Sequence, residues 1–293
     1  MPRILSYGSL NLDIVYQVPH FVRPGETLAS CGRELVCGGK GLNQSVAAAR
    51  AGATVFHAGK IGQDGGILLD TLRSSGVDTS FVSVEDGPSG HTVIQVAPDG
   101  QNCILLYGGS NQRIVRDEVD RALVPFGSGD YLVLQNEINC LRYIMERAAD
   151  KGMFLVFNPS PISDILSQLP MEHVDLLIFN EIEGAALAGN TDAAGILNAL
   201  RTRWPQCRLL LTLGSEGCIY DDGSRRIQKN ACRTEVVDTT AAGDTFTGYF
   251  VACMAAGMPA EVCLDIATLA AAIAVSRPGA APSIPTMDEV RAR

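Results

Sequence analysis

The sequence has no long basic run, and it carries a formal net charge of -9 over 293 residues. Both facts argue against nucleic acid or an anionic membrane surface as the main partner. It has no Cys-x-x-Cys pair: nine cysteines, an odd number, are scattered along the chain. That excludes a disulfide framework and a zinc pattern, and makes the cytosol the expected compartment. His20, His57, His91 and His173 stand far apart and form no ligand spacing. The stretch Met1 to Gly8 lacks the apolar core and small-residue cleavage site of a signal peptide and runs into a strand pattern. No apolar run reads as a membrane span, because Tyr249 to Val275 is broken by Gly257-Met-Pro-Ala-Glu261 and by Asp265. Two buried helices explain that region. Repeats, low-complexity tracts and linkers are also missing, so one compact domain over residues 1–293 is the simplest organisation.

What the chain does hold is 46% hydrophobic residues, ample for a sizeable core. Ile4 to Leu10 reads as a buried strand, and the alternation from Ile14 to Val22 as further strand. Strands are also predicted at 54–61, 77–84, 92–97 and 103–107, a helix at 66–74, and a hairpin turn at Pro98-Asp-Gly100. From Asp117 onward the alternation is regular. Helices are expected at 117–123, 140–151, 163–169, 181–188 and 193–204, strands at 130–134, 154–157, 175–179 and 208–213, and a hairpin around Asp221 to Ser224. Such alternation, with nearly continuous apolar strands, predicts an α/β fold whose mostly parallel sheet is covered on both faces. Ligands then belong at the carboxyl ends of the strands.

Two stretches carry chemistry. Asp238-Thr-Thr-Ala-Ala-Gly-Asp-Thr-Phe246 follows an extended β-branched run, Arg233 to Val237, and opens an apolar helical pattern, Phe246 to Ala256. It should be a tight turn from strand to helix. Ala241, Ala242 and Gly243 put almost no bulk over the first amides of that helix, so free N–H groups and the positive dipole end can face an anion. Asp244 then stands where a carboxylate would take a proton from a hydroxyl attacking a phosphoryl group. An ordinary helix start capped by aspartate fits the same residues. Far earlier, Cys37-Gly-Gly-Lys-Gly-Leu-Asn-Gln-Ser-Val-Ala-Ala-Ala-Arg-Ala-Gly52 places glycines before a helix of small residues. Its spacing matches neither a Walker-type loop nor a dinucleotide fingerprint. Asn11 and Asp13, two positions apart, share a face if the strand continues, and could accept sugar hydroxyls. A polar strand end is the plainer reading of that pair.

The two stretches resemble the C-terminal and N-terminal signatures of the ribokinase, or PfkB-type, family of carbohydrate kinases, and they occur in the expected order. The resemblance covers nearly the whole chain. It implies a ribokinase-like three-layer α/β/α sandwich with a small β lid from segments near 14–38 and 91–108. The implied activity is ATP-dependent phosphorylation of a sugar hydroxymethyl group, with D-ribose the leading substrate and ribose 5-phosphate the product. By position, Asp244 would be the base, and the N–H groups of Ala241, Ala242 and Gly243 the anion hole. Asn11, Asp13, Gly39, Lys40, Asn43 and Glu137, with Asp244, would hold the sugar. Asn180, Thr212, Gly214, Ser215, Gly217 and Gly243 would meet ATP. Glu183, in Asn180-Glu-Ile-Glu183, would organise Mg2+ through water. Asp238, Thr240, Ala274, Arg277, Gly279 and Ser283 would surround a monovalent cation, K+. A homodimer through the lids is implied as well.

Local readings stand beside these. Glu137 and Glu183 fit as ordinary acids at helix starts, and Thr212 to Gly217 as a plain glycine turn. Leu42 occupies a position where close ribokinases commonly have alanine, in the loop expected to face the sugar. It leaves open another sugar, a deoxysugar or a nucleoside, although the lid segments show no cluster of aromatics to stack a base. A non-catalytic sugar-binding regulator on the same fold is the alternative class. A dehydrogenase is disfavoured because the glycine turn after the first strand is missing.

Overall fold

The computed structural model describes residues 2–293, and its architecture follows from short strands in which neighbouring side chains are both buried. In β1 (Arg3–Tyr7), Ile4 and Leu5 are 1% and 0% exposed. Successive strand side chains point to opposite faces, so the sheet must be covered on both. The chain next forms β2 (Asn11–Gln17) and β3 (Gly32–Gly38) in a second sheet. It returns through α1 (Lys40–Arg50), β4 (Thr54–Gly62), α2 (Gly66–Ser74) and β5 (Asp78–Glu85), then leaves again for β6 (Gly90–Val96) and β7 (Asn102–Tyr107). Alternation follows: α3 (Arg116–Leu123), β8 (Tyr131–Gln135), α4 (Leu141–Asp150), β9 (Phe154–Asn158), β10 (Leu176–Asn180), α5 (Glu181–Ala188), α6 (Ala193–Arg203) and β11 (Arg208–Thr212). A hairpin of β12 (Cys218–Asp221) and β13 (Arg226–Lys229) precedes α7 (Ala242–Ala255), α8 (Ala260–Val275) and α9 (Met287–Arg291).

The main sheet has nine strands in the order β13-β12-β11-β10-β9-β8-β1-β4-β5, parallel except for the β12–β13 hairpin. Ile4, Val133, Val156, Ile178 and Leu210 belong to one core with Val46, Phe250 and Leu264, on α1, α7 and α8. Leu5, Leu132, Leu155, Leu177 and Leu209 belong to the other with Val119, Ile144 and Leu200, on α3, α4 and α6. This is the three-layer α/β/α sandwich that the resemblance implies. The chain's progress reverses at β1, with β4 on one side and β8 on the other, which opens a crevice at the strand carboxyl ends. The second sheet has the order β3-β2-β6-β7. Helices α1 and α7 meet closely because residue 248 is glycine: a Cβ there would lie 2.6 Å from Gln44 O.

Two expected elements differ. Arg233 to Val237 forms no strand; Val237 N–H donates to Val275 O at 2.8 Å instead. Val236 and Val237 are 62% and 58% exposed, and β-branched residues favour a strand only with a ladder and a face to cover. The helix expected at 163–169 is a 3-10 segment, Asp164–Gln168, in which only Leu166 is buried. One buried residue gives no apolar stripe to support an α-helix.

Candidate active site

The turn into α7 is made by Ala241, at φ 59° one of two non-glycine residues with left-handed backbone among those described. For a residue with a Cβ this costs about 1–2 kcal/mol. The turn aims the first amides of α7 at the crevice. Ala242 N–H bonds back to Thr239 O at 3.2 Å, whereas the N–H groups of Ala241, Gly243 and Asp244 have no protein acceptor among the described residues. They are free to meet an anion. A Cβ at Gly243 would touch nothing within 4 Å, so no protein neighbour demands glycine there.

Asp244 is buried but does not cap its own helix. Its Oδ2 accepts from Asn43 Nδ2 and its Oδ1 from Gln44 Nε2, both at 3.0 Å. Gln44 Oε1 accepts in turn from Gln135 Nε2 at 2.7 Å. The plain capping reading therefore fails, since the carboxylate is committed to α1. Gln44 and Gln135 were not anticipated; only adjacency to Asn43 and Glu137 could have pointed to them. Leu42 corrects another expectation. It is fully buried in the core, because helix neighbours point about 100° apart and Asn43 already faces Asp244. It does not face the residues expected to hold the sugar and says nothing about the substrate.

Those residues gather around the start of α1. Glu137 accepts from Ser9 Oγ and from Lys40 N–H, the latter at 3.2 Å. Asn11 Oδ1 accepts from Asn111 Nδ2 at 2.8 Å, and Asp13 Oδ1 from Thr92 Oγ1 at 2.6 Å. The other Asp13 oxygen occupies the space a Cβ on Gly38 would need. Gly39, at φ 94°, lies with its missing Cβ 2.9 Å from Ser9 O. Burial pushes the Asp13 carboxyl up, partly offset by the Thr92 hydroxyl. It pushes Glu137 up as well, against the Lys40 ammonium and the Ser9 hydroxyl. For Lys40, burial opposes the charge, but Asp244, Glu137 and Glu183 outweigh it and raise the pKa. Ser9, Thr92 and Asn111 carried no sequence signal.

Lys40 and the Ala241–Asp244 turn face a cleft of about 240 Å³, shared with Asn180, Glu183 and Thr212. Asn158 and Thr239, also unanticipated, are among its other lining residues. Asn180 Oδ1 accepts from Glu183 N–H at 2.9 Å and Glu183 Oε2 from Asn180 N–H at 3.0 Å, a capping box for α5. Gly214 and Ser215 lie in the turn beyond Thr212, and Gly217, at φ 101°, is required because a Cβ would collide with Lys229 O. The residues expected to hold a monovalent cation share one corner. Val237 and Asp238 N–H groups bond Val275 O, and Gly279 N–H donates to Asp238 Oδ2 at 2.9 Å. Burial works against the Asp238 anion, yet donors from Thr240 and Gly279 hold its pKa below the usual value. Arg277 turns its side chain to Glu289 at 2.6 Å and Ser283 Oγ donates to Ala280 O, so Arg277 has only its carbonyl to offer. Among the described residues no three His, Cys, Asp or Glu side chains form a metal cluster.

The chain is similar to known proteins over nearly all of its length. The description "pfkB family carbohydrate kinase" matches residues 1–287. The ribokinase of Haemophilus influenzae is 34% identical, over 96% of this chain and 95% of its own. The crystal structure of a Cryptococcus neoformans ribokinase in complex with ADP superposes with a TM-score of 0.88 at 32% identity, covering 100% of both chains. That of Arabidopsis thaliana ribokinase complexed with ribose and ATP gives 0.88 at 30% identity, covering 99% of this chain and 98% of that one. With its family signature matched over nearly every residue, the chain belongs to the pfkB family of carbohydrate kinases.

Proposed function

We propose that the protein transfers the γ-phosphoryl group of ATP to the hydroxymethyl group of D-ribose, giving ribose 5-phosphate. One observation carries this reading: the buried Asp244 carboxylate, clamped by Asn43 and Gln44, stands beside free amides at the start of α7 and faces the cleft. Asn11, Asp13, Gly39, Lys40, Asn43 and Glu137 hold the sugar, with carboxylates accepting from hydroxyls and Lys40 donating. Asn43 Oδ1 is buried without a donor, and a sugar hydroxyl would satisfy it. Asp244 accepts the hydroxyl proton as that oxygen bonds to phosphorus. The N–H groups of Ala241, Gly243 and Asp244 then stabilise charge on the transferred group, joined by Ala242 once it releases Thr239 O.

Asn180, Thr212, Gly214, Ser215, Gly217 and Gly243 carry the nucleotide. Magnesium, when bound, neutralises phosphate charge, and the Glu183 oxygen left over from the capping box holds it through water. The ionised Asp238, with oxygens of Thr240, Ala274, Arg277, Gly279 and Ser283, suits a potassium ion. The second sheet acts as the lid of a single kinase domain working in the cytoplasm. Every residue of β7 is exposed, including Ile104, Leu105 and Leu106, which suits a homodimer through the lids; a monomer by light scattering at micromolar concentration would count against it.

The test is ADP release with MgATP and potassium across ribose, deoxyribose, fructose and common nucleosides. Ribose-dependent turnover is expected. Turnover only on another member replaces the substrate, and sugar binding without turnover supports a regulator. Asp244→Asn should lower kcat by about 10³-fold or more while sugar binding stays within about tenfold; retained turnover removes Asp244 as the base.

A further inference from the structure

We propose that Gln135 and Gln44 are positioning residues for this reaction, a two-amide relay that fixes the plane of the Asp244 carboxylate. The proposal rests on the reading of Asp244 as the base. Neither glutamine lines the cleft, and both are enclosed, at 0% and 2% exposure. The hydrogen bonds run in one sense. A carboxylate oxygen can only accept, so Gln44 must turn its NH2 to Asp244 Oδ1 at 3.0 Å. Its carbonyl is left for Gln135, which must present its own NH2 at 2.7 Å. Reversing either amide would set like against like. Asn43 holds Oδ2 at 3.0 Å, so the carboxylate cannot swing, and its remaining lone pairs keep one direction.

The far end of the relay explains why the amide is there for its direction and not for packing. Gln135 Oε1 is buried and has no donor among the described residues, a destabilising feature that apolar residues at both 44 and 135 would avoid. The carbonyl sits where a Cβ on Gly8 would be, with Gly41 Cα 2.7 Å from that same point. Neither glycine has a left-handed backbone, so space and not dihedral angle requires them. Gly8 follows β1 and Gly41 lies in the first turn of α1; the missing Cβ of Gly8 makes room for Gln135, and that of Gly41 lets α1 close on the Gly8–Ser9 backbone, so the side chain that never meets the substrate is held where two backbone segments touch.

The experiment measures kcat, KM for sugar and ATP, and Tm for Gln44→Leu, Gln135→Leu and Gln135→Glu, with the two Leu variants also made on Asp244→Ala. Each single variant should lower kcat about tenfold or more, with both KM values within about threefold. Gln135→Leu removes the orphaned Gln135 Oε1 but leaves Gln44 Oε1 without its donor, so Tm should change by no more than about 3 °C. Gln135→Glu keeps the size but, once ionised, offers Gln44 no donor, so assayed at high pH it should be as slow as Gln135→Leu; full activity there overturns the relay. On Asp244→Ala the Leu substitutions should cost nothing further. Loss of the same factor there, a loss confined to KM, or kcat within twofold of native overturns the proposal, and the kcat–KM split decides alone if that background is too slow to read. An Asp244→Ala enzyme with native kcat would instead remove the base itself.

Discussion

Glycines in the site answer to two different requirements. Gly38 gives way to Asp13 and Gly217 to the carbonyl of Lys229, so a side chain at either would have to displace protein. At Gly243 a Cβ would touch nothing, and the residue lies in the first turn of α7 without a left-handed φ. Gly243→Ala should therefore fold normally and gain up to about 1 kcal/mol from helix propensity. On the proposed function the methyl group would cover an amide of the anion hole, and kcat should fall by about 10²-fold. Thermal melting and ADP release on the same preparation check both halves; undiminished turnover would remove Gly243 from the anion hole.

At the start of α5 one motif caps the helix and, on the proposed function, serves the chemistry as well. The capping box of Asn180 and Glu183 uses a single Glu183 oxygen, and no protein donor among those described engages the other. Glutamine also completes a capping box. Glu183→Gln should then leave Tm within about 2 °C while raising the magnesium concentration for half-maximal rate about tenfold. Equal loss of stability and activity would mean that the acid serves α5 alone. In the second sheet, alternation separates two faces: the paired His91 and Tyr107, with rings 5.0 Å apart, neighbour Thr92 and point away from its partner Asp13. This aromatic pair of the second sheet thus lies on the face opposite Asp13.

For the molecule as a whole, the buried imidazole of His57 couples the core to pH. Burial drives its pKa down to about 4, and the ring rests against Ser45 Oγ at 2.7 Å. The unfolded chain takes up that proton near pH 6.5 and the native protein does not, so this contribution is complete above pH 6.5 and lost as pH falls toward 4. The loss should approach about 3 kcal/mol. Urea unfolding between pH 7 and 4.5 checks it, and His57→Leu should flatten that part of the slope; an unchanged slope would place the acid sensitivity elsewhere. Reading along the chain is enough for the alternation of strands and helices, the parallel sheet and both signatures, because period, turn chemistry and helix starts are local properties. Gln44 reaching Asp244 across 200 residues, and Gln135 reaching Gln44 across 91, needed the folded chain. So did the burial of Leu42 and the exposure of Val236 and Val237. Local pattern says which residues face a core or a crevice, but the partner of a buried polar group is chosen by strand order and by how closely α1 can approach α7 at Gly248.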